Sequence, residues 1–135
     1  MKFDDLYVGQ IAESEKQITE EIVDFFAKAS GDFNPIHFDE DFASKSIFKK
    51  RIAHGILSVS FISALIASEL PGSGSVYMKQ SLKFLKPVYL SDKINTRLTV
   101  LELIAEKRNV KLKTECLNQD GEIVIDGEAL IKLLK

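Results

Sequence analysis

Hydrophobic and polar positions change period partway along this chain. Up to about residue 70 the apolar residues recur every three or four positions, and beyond Pro71 they alternate with polar ones. Thr19 ahead of Glu20 and Glu21 reads as a helix start, a capping hydroxyl followed by two acids at the positive end of the dipole. Ile22, Val23, Phe25, Phe26 and Ala29 keep helical spacing, and Gly31 suits the position just past the helix end. Asp39 can cap a second, short helix through Phe42 and Ala43. After the charged stretch Lys49-Lys50-Arg51, a long helix is predicted from His54 to about Leu70. Ile56, Leu57, Val59, Phe61, Ile62, Leu65, Ile66 and Leu70 cover its whole circumference, which predicts burial on all sides. Pro71-Gly72-Ser73-Gly74 ends it.

The remainder reads as strands. Val76, Met78, Leu82 and Phe84 share one face and Lys79, Ser81 and Lys83 the other, with Pro87 closing the strand or marking a bulge. Gln80 is then a polar residue on the apolar face, either a buried hydrogen-bonder or an interface residue. Ile94 to Leu103 forms a second strand, and Val110, Leu112, Thr114 and Cys116 alternate with lysines and Glu115 in a third. Asp120-Gly121 is a hairpin signal. In the last strand Ile123, Ile125, Ala129, Ile131 and Leu133 share a face with Gly127, whose missing side chain allows close approach by something bulky. A further short strand is expected near Leu6 to Ile11. The architecture predicted is α+β: one domain over 1–135, with a curved antiparallel sheet of about five strands wrapped around the long helix.

Composition narrows the function. A chain of 135 residues can bury one core, and a net charge of −2 argues against a protein that works by neutralising nucleic-acid phosphates. The single cysteine, Cys116, excludes an internal disulfide and argues against a cysteine-based metal cluster; it reads as a small core residue. The amino terminus lacks the apolar stretch of a secretory signal, and the run from Ile56 to Leu70 is too short and too interrupted by serines to span a bilayer. A cytoplasmic protein is expected.

Chemistry concentrates in Ser30-Gly31-Asp32-Phe33-Asn34-Pro35-Ile36-His37 and in His54-Gly55. Asp32 and His37 can form an acid/base pair, and a helix that starts at glycine offers unpaired backbone N–H groups to developing negative charge. Pro35 pushes Asn34 out of the α region, so the stretch between Asp32 and His37 should be irregular. Taken alone, Asp-Phe-Asn-Pro is also ordinary turn chemistry. His54 reads equally as a cap or brace at the helix start and as a substrate contact, and stays outside the catalytic set. Lys49, Lys50 and Arg51 read as a solvated charged face, with attraction to nucleotide phosphates as the alternative.

Those two segments, with Arg51-Ile52-Ala53 ahead of His54-Gly55, together resemble the signature of the MaoC-like (R)-specific enoyl-CoA hydratases. The similarity continues through Leu70-Pro71-Gly72-Ser73-Gly74-Ser75-Val76-Tyr77, Gln80-Ser81-Leu82-Lys83-Phe84 and Pro87-Val88. The resemblance implies a hot-dog fold, a sheet wrapped around a central helix. It also implies reversible addition of water to a trans-2-enoyl thioester, giving the (R)-3-hydroxyacyl thioester. By that resemblance Asp32 and His37 hold one water, Gly55 N–H bonds the thioester oxygen, Asn34 orients the loop or the water, and Ser63 lines the site. For Ser63, a bond back to a helix carbonyl is the alternative. No metal or redox cofactor is implied, coenzyme A being part of the substrate, and neither nucleic acid nor membrane is an expected partner. A homodimer or larger homo-oligomer is expected. Short acyl chains are favoured, with coenzyme A or acyl carrier protein as carrier. The rival readings are a hot-dog thioesterase, a 3-hydroxyacyl-carrier-protein dehydratase and a non-catalytic acyl-CoA-binding subunit.

Overall fold

A computed structural model describes residues 1–134. Five antiparallel strands, β1 (Ile11–Gln17), β2 (Ser75–Phe84), β3 (Lys93–Ile104), β4 (Asn109–Leu117) and β5 (Ile123–Leu133), form one sheet in the order β1-β3-β4-β5-β2. Three helices, α1 (Glu20–Ser30), α2 (Glu40–Ser44) and α3 (Gly55–Ser68), all lie in the connection between β1 and β2. The predicted α+β arrangement is what forms. Leu57, Ile62, Leu65 and Ile66 of α3 are buried in one core with Leu98, Val100, Leu112 and Ile131 from the sheet. Each such side chain contributes roughly 1.5–3 kcal/mol when fully buried.

Local signals placed the helices well. Thr19 Oγ1 accepts from Ile22 N–H, Asp39 Oδ1 accepts from Phe42 N–H, and Gly31 ends α1 in the left-handed region with φ of 82°. Helix α3 differs from its expectation. Ile56, Ser60, Ser63, Ala64 and Ala67 are exposed, so a single chain covers only part of this apolar helix.

Two features of the sheet also depart from the sequence pattern. The pairing of β2 with β5 slips between Tyr77 and Lys79, leaving Met78 as an extra residue in a bulge. The bulge resets the alternation: Tyr77, opposite Ile131, shares the inner face with Leu82 and Phe84, whereas Val76 and Met78 point outward. Strand β1 begins at Ile11 instead of ending there. Residues before it form a 3-10 turn at Phe3–Asp5 and a turn closed by Gln10 N–H on the Tyr7 carbonyl. Because β1 is an edge strand of mostly polar, exposed residues, it lacks the apolar alternation that marks the others.

Gly127 permits a close approach, and the neighbour is backbone. A Cβ there would lie 1.9 Å from the Ser81 carbonyl oxygen of β2. Gln80 is a structural hydrogen-bonder on the inner face, donating to Thr114 Oγ1 at 2.9 Å and to the Ser81 carbonyl at 2.8 Å.

Candidate active site

The end of α1 determines where Asp32 sits. Gly31 turns the chain off the helix axis, its N–H still held by the Ala27 carbonyl at 2.7 Å. Ser30 Oγ donates to the Phe26 carbonyl and accepts from Asp32 N–H. Asp32 Oδ1 then accepts from Asn34 N–H at 3.2 Å, and Asn34 Oδ1 from Ile36 N–H at 3.3 Å. These side-chain bonds fold Pro35–His37 into one 3-10 turn, where an irregular path was expected. The physical reason is that Pro35 bars Asn34 from helical geometry yet has a φ suited to the first position of a helical turn. Asn34 therefore caps the turn that carries His37.

His37 is buried, and its Nδ1–H donates to the Ile52 carbonyl at 2.8 Å. That bond fixes the neutral tautomer with a lone pair on Nε2, the form needed to accept a proton. Burial pushes the His37 pKa below its ordinary value. The Ile52 bond opposes this shift, His54 adds to it, and Asp32 opposes it. Arg51 fixes the backbone of the same turn: its Nε–H donates to the His37 carbonyl at 2.8 Å while its guanidinium reaches Glu20 at 2.9 Å. With its side chain only 10% exposed, Arg51 is not part of a solvated face; Lys49 and Lys50 are exposed as that reading required.

His54 joins the same cluster. It precedes α3 without making a side-chain cap; instead its Nε2–H donates to the Asp32 carbonyl at 2.9 Å. Its ring stacks on His37 with centroids 3.8 Å apart and planes 29° apart. One ligand atom from each of Asp32, His37 and His54 lies within 4.8 Å of the others. The composition suits a metal, but the geometry suits one poorly. The lone pairs of stacked rings run side by side, so an ion about 2.0–2.1 Å from one nitrogen would lie far out of the other ring's plane.

Gly55 opens α3, and neither its N–H nor that of Ile56 is bonded among the described residues. An apolar cavity of about 370 Å³ adjoins it, with Phe48, Ile52, Ala53, Phe84, Val88 and Ile125 in the wall. Asp32 and His37 do not line that cavity. The two features meet at Ile52–Gly55, where the carbonyl holding His37 and the free helix N–H are three residues apart. Phe84 lies flush with Gly55, since a Cβ on the glycine would be 2.8 Å from its ring. Ser63 lies apart from this cluster, on the open side of α3 about 12 Å along the axis from Gly55 at 1.5 Å per residue. Its hydroxyl makes no hydrogen bond among the described residues, whereas Ser60 bonds back to the Leu57 carbonyl. Cys116 is fully buried in the core, its thiol pushed up to about 11 by burial.

Residues 9–121 match the MaoC like domain. The chain belongs to this family. It is 45% identical over 129 residues to an (R)-specific enoyl-CoA hydratase of Rhodospirillum rubrum, covering 96% of this chain and 89% of that protein. A 3-hydroxybutyryl-CoA dehydratase of Methylorubrum extorquens is 44% identical, with 98% and 84% covered. The unliganded R-hydratase PhaJ1 of Pseudomonas aeruginosa superposes with a TM-score of 0.93 at 45% identity, over 98% of this chain and 84% of that one. The MaoC-like fold of this chain is therefore the hot-dog fold expected from its motifs. Among its described helices none is long and apolar enough to cross a membrane.

Sequence reasoning missed the roles of two residues in this MaoC-like site. Arg51 looked like part of a charge run, and only its spacing to Glu20 in the folded chain shows it clamped. His54 reads from the sequence as a helix brace or a substrate contact, and neither names the Asp32 carbonyl as its partner. The signal available for it was a histidine where serine, threonine, asparagine or aspartate would cap better, which is a reason to look for a different partner.

Proposed function

We propose that this MaoC-like protein is an (R)-specific enoyl-CoA hydratase, reversibly converting trans-2-enoyl-CoA to (R)-3-hydroxyacyl-CoA. The observation that carries the reading is the pairing of the Asp32 carboxylate with a His37 ring whose Nδ1–H is committed to Ile52. A water held between Asp32 and His37 gives up a proton to the pair as its oxygen bonds to C3 of the enoyl group. Electron density moves onto the thioester oxygen, where the free N–H of Gly55 stabilises it. The pair then returns a proton to C2, so one water is consumed and no charge accumulates. Roughly 3 kcal/mol of barrier is typical for one such N–H donor. Asn34 contributes by shaping the turn beneath His37; Ser63, exposed on the open side of α3, is given no part in the step. No step calls on a metal or a redox cofactor.

Coenzyme A is the favoured carrier, and chains of four to six carbons the favoured substrates, because two similar proteins are named for CoA thioesters and one of them for a four-carbon acyl group. The reading further includes a cytoplasmic enzyme that works as a homodimer. Two features support the dimer: the open side of α3, and an edge strand β2 that exposes Val76 and Met78.

Incubation with crotonyl-CoA tests the core of the reading. The enoyl absorbance should fall without thiol release, and chiral analysis should find (R)-3-hydroxybutyryl-CoA. Thiol release with the enoyl chromophore intact would make the protein a thioesterase. Rates across longer enoyl-CoA substrates should peak at four to six carbons.

A further inference from the structure

Asp32 is exposed, and the hydrogen bonds that hold it are local with one exception. Its N–H bonds to Ser30 and its carboxylate to the N–H of Asn34, each two residues away. The exception spans 22 residues: His54 Nε2–H donates to the Asp32 carbonyl. His54 is 2% exposed, and its ring is packed against His37, Phe26 at 4.9 Å and Phe38 at 6.0 Å. Of its two ring nitrogens only Nε2 is bonded, and that bond goes to the backbone of the catalytic carboxylate.

The other ring nitrogen points to the same arrangement. His54 Nδ1 is buried without a hydrogen-bond partner among the described residues, and so is the Ser58 hydroxyl four residues along α3. An unpaired acceptor and an unpaired donor one helical turn apart complement each other. The two are not bonded to each other in the structure; the Asp32 carbonyl, which can only accept, is what keeps the proton on Nε2.

We propose that His54 is a positioning residue that fixes Asp32 against His37, linking the Asp32 loop to the helix that presents Gly55. This rests on the hydratase reading above. His54 does not touch substrate; it holds the carboxylate at the distance from His37 at which both can grip one water. A ring needed only for packing would be replaceable by phenylalanine. A ring needed for its Nε2–H would be replaceable by glutamine, whose amide nitrogen reaches the position of Nε2, and not by asparagine, whose shorter side chain stops near Nδ1.

The experiment measures hydration of crotonyl-CoA by wild type, His54→Phe, His54→Gln and His54→Asn, with thermal unfolding of each. His54→Phe should lose about 100-fold in kcat, the scale of a misplacement near 1 Å, with KM little changed. His54→Gln should recover most of that loss and His54→Asn should not. Wild-type kcat in His54→Phe, or equal losses in the glutamine and asparagine variants, overturns the proposal. The glutamine–asparagine pair decides it even where the phenylalanine variant does not fold. A wild type without hydratase activity overturns the proposed function, and this inference with it.

Discussion

The loop at Gly31–His37 and the core between α3 and the sheet are held by different kinds of interaction. In the core, Ile62, Leu98, Leu112 and Ile131 are fully buried and each is surrounded by other apolar side chains. Losing any one costs stability, yet no single contact decides a position. In the loop nearly every residue is exposed, and position depends on single hydrogen bonds: Ser30 to Asp32, Asp32 to Asn34, Asn34 to Ile36, His54 to Asp32. Surface area there is too small to stabilise much. The contrast implies that activity and stability are separable in this protein, with the loop governing the first and the core the second.

Asp32→Asn is the strongest way to test that separation. Its amide oxygen can still accept from Asn34 N–H, and the His54 bond goes to the main chain, so the loop should keep its shape. The proton-accepting carboxylate is gone. Hydration of crotonyl-CoA should fall about 10³-fold, within the usual range for a general acid–base group, while the unfolding midpoint stays near wild type. A variant that unfolds early would show that the loop contributes to stability after all. One that remains active would show that the base lies elsewhere.

The converse substitution lies in the core. Ile62→Ala removes a fully buried side chain from α3 and should cost about 2–5 kcal/mol of stability. The denaturant midpoint should fall accordingly. Below that midpoint, kcat should stay close to wild type, because Ile62 lies in the core about two turns along α3 from Gly55. A large loss of kcat in folded protein would couple the two regions and weaken the comparison.

The same division explains what the sequence could reveal. Helix caps at Thr19 and Asp39, the stop at Gly31 and the alternation of β4 depend on neighbours in the chain, so a local pattern is enough to find them. Asp32, His37 and Gly55 stood out through motif chemistry, and folding brings the first two together and leaves the helix N–H free. What the pattern could not show depends on distant partners. Arg51 is defined by Glu20 and the His37 carbonyl, His54 by the Asp32 carbonyl, and the Met78 bulge by the register β2 adopts against β5. Strand β1 owes its existence to pairing with β3, since its own residues are mostly polar. The open side of α3 is a similar case: the helix is apolar all round, yet which side the sheet covers is a tertiary fact.

The smallest expected effect concerns pH, and it probes the loop from its buried side. His37 accepts a proton only while neutral, and burial lowers its pKa below the ordinary value near 6.5. A lowered pKa keeps the ring neutral to more acid conditions. The acid limb of kcat/KM should therefore lie below pH 6.5, as a property of the coupled cluster and not of His37 alone. Asp32 opposes the lowering, so its replacement by asparagine should move the limb of the residual activity further to the acid side. Profiles of wild type and Asp32→Asn, recorded over the same range at low substrate, measure both. A wild-type limb above pH 6.5 would mean that the buried ring gains its proton more readily than an exposed one, and that the loop holds more negative charge around His37 than Asp32 supplies.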